Sequence, residues 1–465
     1  MLKHLTALLE AWRPICTSWL GRIAAVKMSL LPKLLYLYRV LPIPIPPYYH
    51  RIIQTRVSKY IWGPIRPRVS KTVLLRSKTK GGLGLPNFMG YYHAAQLAQI
   101  TLFHAQNEIP LWVSLEAIDL HPLNISNLLW LPPTTRGPIS NPITGHSLKL
   151  WDKLRGPFKL QSPHSPLLSF LDHPNFYPAQ ISPNSFQIWH RAGLSRIRDF
   201  VSGSDIKTFA SLQNLTDIPN TEIFRFLQIS HFIRTTIGTH TSLDDLSLFE
   251  GICNSDPHAP GLISLLYAHL TSPPNNLPPY TAQWSADLAL HLDTEDWSDI
   301  WSNTKISSQN IIAQEANYKV LMRWYLVPAR IAKFLPNYPA NCFRGCNEQG
   351  THAHIWWSCS IAQEFWAAIF QIASTLFQHP IEPDPAIALL NLIPSDFTRS
   401  QTRLLLQLTT AAKQTIARAW KTPKLSLAEA KNRITQAMIH SNFIEDYIKS
   451  TNFDPLYVRR LTIHM

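Results

Sequence analysis

The stretch CFRGCNEQGTHAHIWWSC occupies residues 342–359 and contains three of the five cysteines in a chain of 465 residues. Cys342, Cys346 and Cys359 supply three thiols, and His354 lies between the second and the third. Three thiolates and one imidazole are the number and type of ligands that close a tetrahedron around zinc. Because a catalytic zinc keeps one position open for water, a complete set of four protein ligands predicts a structural Zn²⁺ site.

Two alternatives to this ligand set stay open. Free cysteines are often small buried apolar residues, and His354 could be a core histidine without a metal. The clustering favours the metal, since the remaining cysteines, Cys16 and Cys253, are isolated in the sequence. His352 is the rival histidine, but the four residues between His354 and Cys359 are typical of short zinc knuckles and favour His354.

The positive charge of the chain is concentrated towards its N-terminus. The formal net charge is +14, and residues 11–107 hold fourteen of the 43 Lys and Arg residues but no Asp or Glu. The other 29 cations balance the 29 acidic residues. Aromatic residues interleave with this basic segment, which suits phosphate contact and base stacking. The candidate contacts are Arg22, Lys27, Lys33, Arg51, Arg56, Lys59, Arg66, Arg68, Lys71, Lys78 and Lys80.

A solvated basic face over buried aromatics is the alternative to a polyanion partner. An acidic membrane surface is a second alternative, although prolines prevent the basic segment from forming one amphipathic helix. With 45% hydrophobic residues and 15 tryptophans the composition is that of a folded protein. We expect no transmembrane segment, because no window offers eighteen apolar residues without charge. The clustered cysteines favour a reducing compartment.

Apolar periodicity predicts mainly helices. One helix is expected over 19–34 with a kink near Pro32. The prolines of 41–47 predict a stiff extended connector. A second helix buries Ile53, Val57 and Tyr60, and Gly81–Pro86 is expected to turn into an extended strand before Asn87 caps another helix.

Further helices are predicted later in the chain. A short one covers Ile223 to Phe232, and a longer one starts at Asn310 and carries its apolar face through Tyr325. Apolar stripes after Cys359 and after residue 404 predict a helix that follows the cysteine cluster and a final pair of helices. The fold class expected is therefore mainly α.

Two sets of motifs resemble a known family. WLGRIAAVKM at 19–28, LPKLLY at 31–36, YIW at 60–62, GGLGLPN at 81–87 and YYHAA at 91–95 resemble the part of LINE-type, non-LTR retrotransposon reverse transcriptases that follows the polymerase palm. YK at 318–319, RWY at 323–325, CFRGC at 342–346, HIWW at 354–357 and IARAWK at 416–421 resemble the cysteine-rich C-terminal segment of the same polyproteins.

The resemblance implies three domains. Residues 1–108 would form a basic thumb-like segment, 109–305 a helical or irregular linker, and 306–465 a helical C-terminal module holding the zinc site. The implied partners are RNA or an RNA–DNA hybrid and the polymerase palm of the full polyprotein, with no membrane. An intracellular ribonucleoprotein, cytoplasmic or nuclear, is the implied location.

Catalysis is not expected in this chain. Reverse transcriptases hold two divalent ions on paired palm aspartates, whereas the only adjacent pair here, Asp244-Asp245, lies in a Ser/Leu-rich stretch that reads as a helix start. The expected function is therefore nucleic-acid binding without an enzyme activity. Two alternatives are a truncated or remnant RNA-directed DNA polymerase whose palm lies upstream, and a host binding protein derived from the element.

Overall fold

The computed structural model describes residues 2–15, 18–105, 108–121, 123–160, 164–176, 183–203, 205–237, 246–255, 259–271 and 276–448. Cys16 and the predicted helix start at Asp244-Asp245 lie outside the described residues.

Helices dominate the described chain, which confirms the mainly α prediction. The α-helices are α1 Leu2–Trp12, α2 Trp19–Ala25, α3 Leu31–Val40, α4 Pro47–Trp62, α5 Lys71–Leu75, α6 Phe88–Ile100, α7 Leu111–Leu120, α8 Ile125–Leu128, α9 Pro133–Arg136, α10 Pro142–Leu154, α11 Gln187–Arg191, α12 Phe209–Gln213, α13 Ile223–Phe232, α14 Leu248–Asn254, α15 Leu262–Leu270, α16 Pro279–Leu288, α17 Thr294–Ile306, α18 Ile311–Leu321, α19 Pro328–Ile331, α20 Ser360–Phe377, α21 Arg399–Arg418 and α22 Leu427–Ile448.

Shorter elements complete the backbone. π-helical turns cover Val26–Leu30, Ile233–Ile237, His354–Ser358 and Ala386–Leu390. 3₁₀ turns cover Lys78–Lys80, Thr101–His104, Gly156–Phe158, Pro183–Phe186, Ile197–Phe200 and Asn220–Glu222. The strands found within the described ranges are β1 Val201–Ser202 and β2 Asp205–Ile206, which pair antiparallel with Val201 opposite Ile206.

Two compact units divide the chain, and the first combines segments that are distant in sequence. It consists of Met1–Leu31, Gln54–Pro86 and Pro273–Met465. The backbone N–H of Trp19 donates to Glu315 Oε2 at 2.7 Å, and the Tyr280 hydroxyl donates to the Gly81 carbonyl oxygen at 2.7 Å. Each bond joins the N-terminal part of the chain to the C-terminal part, so these two parts share one core.

The second unit consists of Pro32–Ile53 and Asn87–Ser272. Its core contains Trp151 and Phe249, whose rings stack 4.4 Å apart. Helices α6 and α15 pack closely because Gly90 lies between them: a Cβ at this position would come 2.6 Å from Thr271 Cγ2. A side chain there would push the helices apart.

The predicted helix over 19–34 is confirmed, and it departs from regular α-helical bonding just before Pro32, where a kink was predicted. It runs as α2, a π turn over Val26–Leu30 and α3, and the N–H of Leu31 donates to Val26 O, five residues earlier. Proline has no N–H to donate, so the regular bonding pattern fails at Pro32, and a π turn is a common way to absorb such a break.

The predicted strand after Gly81 is wrong. Gly81 does turn the chain, with φ at +77°, but the N–H groups of Leu83 and Leu85 both point to the carbonyl oxygen of Leu74, at 3.4 and 2.9 Å. The segment therefore folds back on the end of α5 and its N–H groups are not used in a sheet. The predicted cap Asn87 is confirmed at the start of α6, and α18 begins directly after Asn310, where the start of a helix was predicted.

The predicted helix through Tyr325 ends earlier than expected. Helix α18 stops at Leu321, and Arg323 adopts a left-handed backbone with φ at +53°. A residue in this conformation cannot continue a right-handed helix. Helix α13 has the bounds predicted, and the helix after Cys359 and the final pair are confirmed as α20, α21 and α22.

The three domains predicted at 1–108, 109–305 and 306–465 were defined by composition along the sequence. The two units are defined by packing and join non-consecutive segments. The three-domain division stays a prediction.

Candidate metal centre and basic residues

Cys342 and Cys346 lie at the two ends of a tight turn. Asn341 and Gln349 form an isolated antiparallel bridge below it. The N–H of Gly345 donates to the carbonyl oxygen of Cys342 at 3.2 Å, and Gly345 has φ at +79°, a conformation that only glycine adopts without strain. The turn brings two sulfurs, four residues apart, to the same side of the chain.

His354 and Cys359 lie at the two ends of a π turn that leads into α20. The π turn covers His354–Ser358, and the N–H of Cys359 donates to the carbonyl oxygen of His354 at 2.9 Å. Cys359 is the N-cap of α20, an 18-residue helix. A thiolate at this position is favoured by the positive end of the helix dipole.

These four residues can hold a metal ion. Their ligand atoms all lie within 4.8 Å of one another. Cys346 Sγ lies 3.1 Å from His354 Nε2 and 4.0 Å from Cys359 Sγ. Sulfurs bound tetrahedrally at about 2.3 Å from a common ion would be about 3.8 Å apart, so the arrangement has the right size. A separation of 4.0 Å excludes a disulfide between Cys346 and Cys359.

The raised pKa of Cys342 indicates that the cluster is suited to a bound cation. Burial raises the pKa of Cys342 to about 12, although the N–H of Arg344 opposes the shift; the neighbouring sulfurs of Cys346 and Cys359 raise it further. Three thiolates this close repel one another in the absence of a positive charge. A divalent cation among them reverses that balance and deprotonates coordinating thiols.

Cys359 is the thiol best prepared to be a ligand. Burial acts to raise its pKa, but the N–H groups of Ala362 and Ile361 and the Arg344 guanidinium outweigh burial, and the pKa is lowered. Arg344 is only 4% exposed and donates to the carbonyl oxygen of Ile355 at 2.6 Å. A divalent ion with three thiolates carries one net negative charge, which this buried guanidinium is placed to balance.

His354 presents its Nε2 to the three sulfurs, and its other ring nitrogen, Nδ1, lies 3.5 Å from Ser358 Oγ. Burial lowers the pKa of His354, so the imidazole is neutral near pH 7 and can act as a ligand. A partner for the second ring nitrogen fixes the orientation of metal-binding histidines.

The rival histidine, His352, lies outside the cluster. It is 3% exposed, and its ring packs edge-on against Trp284 with centroids 5.6 Å apart. Burial lowers the pKa of His352 to about 3, and the positive charge of Arg323 adds to the shift. The backbone therefore turns His354, and not His352, towards the cysteines.

A tryptophan layer supports the metal cluster. Trp356 and Trp366 are fully buried, and Trp366 Nε1–H donates to the carbonyl oxygen of Trp356 at 2.8 Å. The rings of Tyr325 and Trp420 lie 5.2 and 5.3 Å from that of Trp356. The cluster thus rests on a rigid apolar core.

The candidate nucleic-acid contacts fall into two groups. Lys33 and Arg51 belong to the second unit, and the rest belong to the first. The exposed candidates are Lys27, Lys33, Arg51, Lys59, Arg66, Lys71 and Lys80.

Two candidates donate hydrogen bonds inside the first unit. Arg22 Nη1 donates to the carbonyl oxygens of Tyr60 and Ile61 at 3.2 and 2.7 Å. Arg56 Nη1 donates to the carbonyl oxygen of Leu2 at 2.7 Å and to the Thr6 hydroxyl. These guanidiniums tie helices together, and their loss would cost packing as well as charge.

Three lysines come together without being neighbours in sequence. Burial lowers the pKa of Lys78, and the positive charges of Lys27 and Lys305 lower it further. Lys27 Nζ lies beside Gly84, where a Cβ would approach it to 2.9 Å. Lys305 was not predicted from the sequence, because only the packing of α17 against the 3₁₀ turn at 78–80 places it there.

No protein-family model matches the sequence. The resemblance to LINE-type reverse transcriptases therefore stays a prediction. Among the described residues, no helix combines the length and the apolar character that a bilayer crossing needs.

Proposed function

We propose that this chain binds RNA or an RNA–DNA hybrid through its basic segment, and that a structural zinc ion organises its C-terminal part. The observation that carries the proposal is the cluster of Cys342, Cys346, His354 and Cys359 in the same compact unit as most of the basic candidates.

The donor set supports zinc. Three sulfurs and one imidazole nitrogen are soft to borderline ligands, which select zinc over magnesium or calcium. The four ligands complete a tetrahedron and leave no position for water, which favours a structural role. Zinc would link the turn at 342–346 to the start of α20, two segments that are otherwise joined by short loops.

The charge pattern supports a polyanion partner. Residues 11–107 contain no Asp or Glu side chain. Lys27 and Lys305 lie close enough to Lys78 to lower its pKa. Cations held together without acidic partners cost free energy in the unbound protein. Phosphates of a nucleic-acid backbone would relieve that repulsion and release counterions.

The sequence resemblance supports the choice of RNA among polyanions. It implies that the basic segment follows a polymerase palm and that the cysteine cluster belongs to an RNA-binding C-terminal segment. In that setting the chain would hold the template or its hybrid while the palm of the full polyprotein performs the chemistry.

Binding of the full chain to a structured RNA at several salt concentrations tests the proposal. If roughly six cations contact phosphates, the slope of log K against log salt is about −4 to −5. The double variant Lys27→Gln/Lys78→Gln should make that slope shallower by about 2. The matched control is Lys149→Gln/Lys153→Gln, two exposed lysines of α10 outside the basic segment, which should leave the slope unchanged. A flat salt response in the unmodified protein would refute the proposal.

A further inference from the structure

A cleft in the first unit lies beside the metal cluster and is assigned to no function above. It has a volume of about 680 Å³ and is lined by the segment that leads into α5, by α16, and by residues around α19. Its size is in the range of pockets that hold small ligands. Thr351 and His352, just before the ligand His354, form one wall.

Positive charge dominates the polar lining of this cleft. Arg68, Arg323, Arg330 and Lys333 line it, and Asp287 is the only carboxylate among its lining residues. Asp287 is already paired with Arg323 at 2.6 Å.

Three of these cations have no carboxylate of their own. Within the described residues, Arg68, Arg330 and Lys333 form no ion pair. Burial and the positive charge of Arg330 lower the pKa of Arg68. The Arg68 guanidinium is held over the Trp324 ring, 4.4 Å from its centroid, so it is preorganised.

Arg323 and His352 form the buried part of the cleft wall. His352 is 3% exposed, and Arg323 Nη1 is closed to solvent and makes no hydrogen bond. Atoms that are closed to solvent are closed to a ligand as well. The cations that a ligand can meet are therefore the half-buried Arg68 and the exposed Arg330 and Lys333.

We propose that this cleft binds one nucleotide unit, with its phosphate held by Arg68, Arg330 and Lys333. A guanidinium binds two phosphate oxygens through parallel hydrogen bonds, and Arg68 and Arg330 can each do so. The apolar part of the lining, which includes Val69, Val73 and Val327, receives the nucleoside. The inference rests on the proposed function in one respect, namely that the natural source of the nucleotide is a single-stranded part of the bound nucleic acid.

The convergence of these residues is a property of the fold. Arg68 comes from the N-terminal part of the chain, and Arg330 and Lys333 come from the segment that precedes the metal cluster. The cleft therefore joins the basic segment to the C-terminal part through a common ligand.

Calorimetric titration of the full chain with inorganic phosphate, uridine monophosphate and a single-stranded oligouridylate tests this inference. Arg330→Gln should weaken binding of the monophosphate and of inorganic phosphate about tenfold, the worth of one charge-assisted contact. Arg330 is exposed, and the hydrogen bond of its side chain to the carbonyl oxygen of Arg323 is 3.4 Å long, so the variant should fold. Arg399→Gln, at an exposed arginine of α21 outside the cleft, is the matched control and should bind like the unmodified protein.

The three ligands separate the outcomes. We expect uridine monophosphate to bind more tightly than inorganic phosphate, and the oligouridylate to compete with it. Equal affinity for phosphate and the monophosphate would overturn the nucleoside part, and no binding or an unchanged Arg330→Gln variant would overturn the site. If the monophosphate binds through Arg330 while structured RNA shows no salt dependence, the cleft stands and the proposed function falls. If structured RNA binds with the expected salt dependence but the monophosphate does not bind through Arg330, only the cleft proposal is refuted.

Discussion

Replacing Cys346 by serine isolates the contribution of one metal ligand. The sulfur of Cys346 lies 3.1 Å from His354 Nε2 and 4.0 Å from Cys359 Sγ, so it is central to the cluster. Serine has nearly the same shape, but its hydroxyl stays protonated at neutral pH and is a poor zinc ligand. The substitution therefore changes the coordination and leaves the packing nearly intact.

The size of the effect can be bounded. Changes to groups that only support metal ligands cost about 10- to 100-fold in affinity, so loss of a ligand should cost at least about 100-fold. At a fixed excess of zinc, a 100-fold loss lowers the free energy of unfolding by about 2.7 kcal/mol. Trp356 is fully buried beside the cluster and is one of 15 tryptophans, so intrinsic fluorescence should report the unfolding of the chain as a whole.

The assay is a competition titration with a chromophoric chelator, combined with urea unfolding followed by tryptophan fluorescence. Cys253→Ser is the matched control, because Cys253 is 2% exposed and lies in the core of the second unit. It should cost stability through its buried hydroxyl, about 1–3 kcal/mol, with zinc affinity unchanged. A Cys346→Ser protein that binds zinc as tightly as the unmodified chain would refute the ligand assignment.

Two further predictions concern stability. Burial lowers the pKa of His104 from 6.5 to about 3, so the folded protein holds this imidazole neutral. The stability that this gives is fully present above pH 6.5 and is lost as the pH falls towards 3, because the unfolded chain takes up the proton first. Between pH 7 and 5 this amounts to about 2 kcal/mol, and urea unfolding of His104→Phe should show a pH dependence smaller by that amount; an unchanged dependence would contradict it. Asn317 accepts from the fully buried Lys413 Nζ at 2.8 Å and donates to Ser307 and Thr410. Asn317→Leu should therefore cost about 3 kcal/mol or more in thermal or chemical unfolding, and a cost below about 1 kcal/mol would show that the other acceptors of Lys413 suffice.

The sequence predicted local structure well where side chains act on their own backbone. Asn87 caps α6 as predicted, and α13 has the bounds expected from its periodicity. The errors lie where the backbone takes a special conformation. Nothing in the pattern before Pro328 indicates that Arg323 adopts a left-handed φ, which ends α18 before Tyr325.

The clustering of Cys342, Cys346, His354 and Cys359 was predictable because they lie within one short stretch, in which the spacing limits the geometry. The cation cleft was not, since Arg68 and Arg330 meet only through packing of distant segments. Periodicity tells which face of a helix is buried, but not what covers it. The same limit explains why Arg22, predicted as a phosphate contact, also bonds backbone carbonyls.

Metal analysis of the purified 465-residue chain tests the central claim most directly. We predict about one zinc per chain, bound without added metal, and a fall in the thermal unfolding temperature when a strong chelator removes it. Protein that contains no zinc, takes up none, and unfolds at the same temperature with and without chelator would contradict the account.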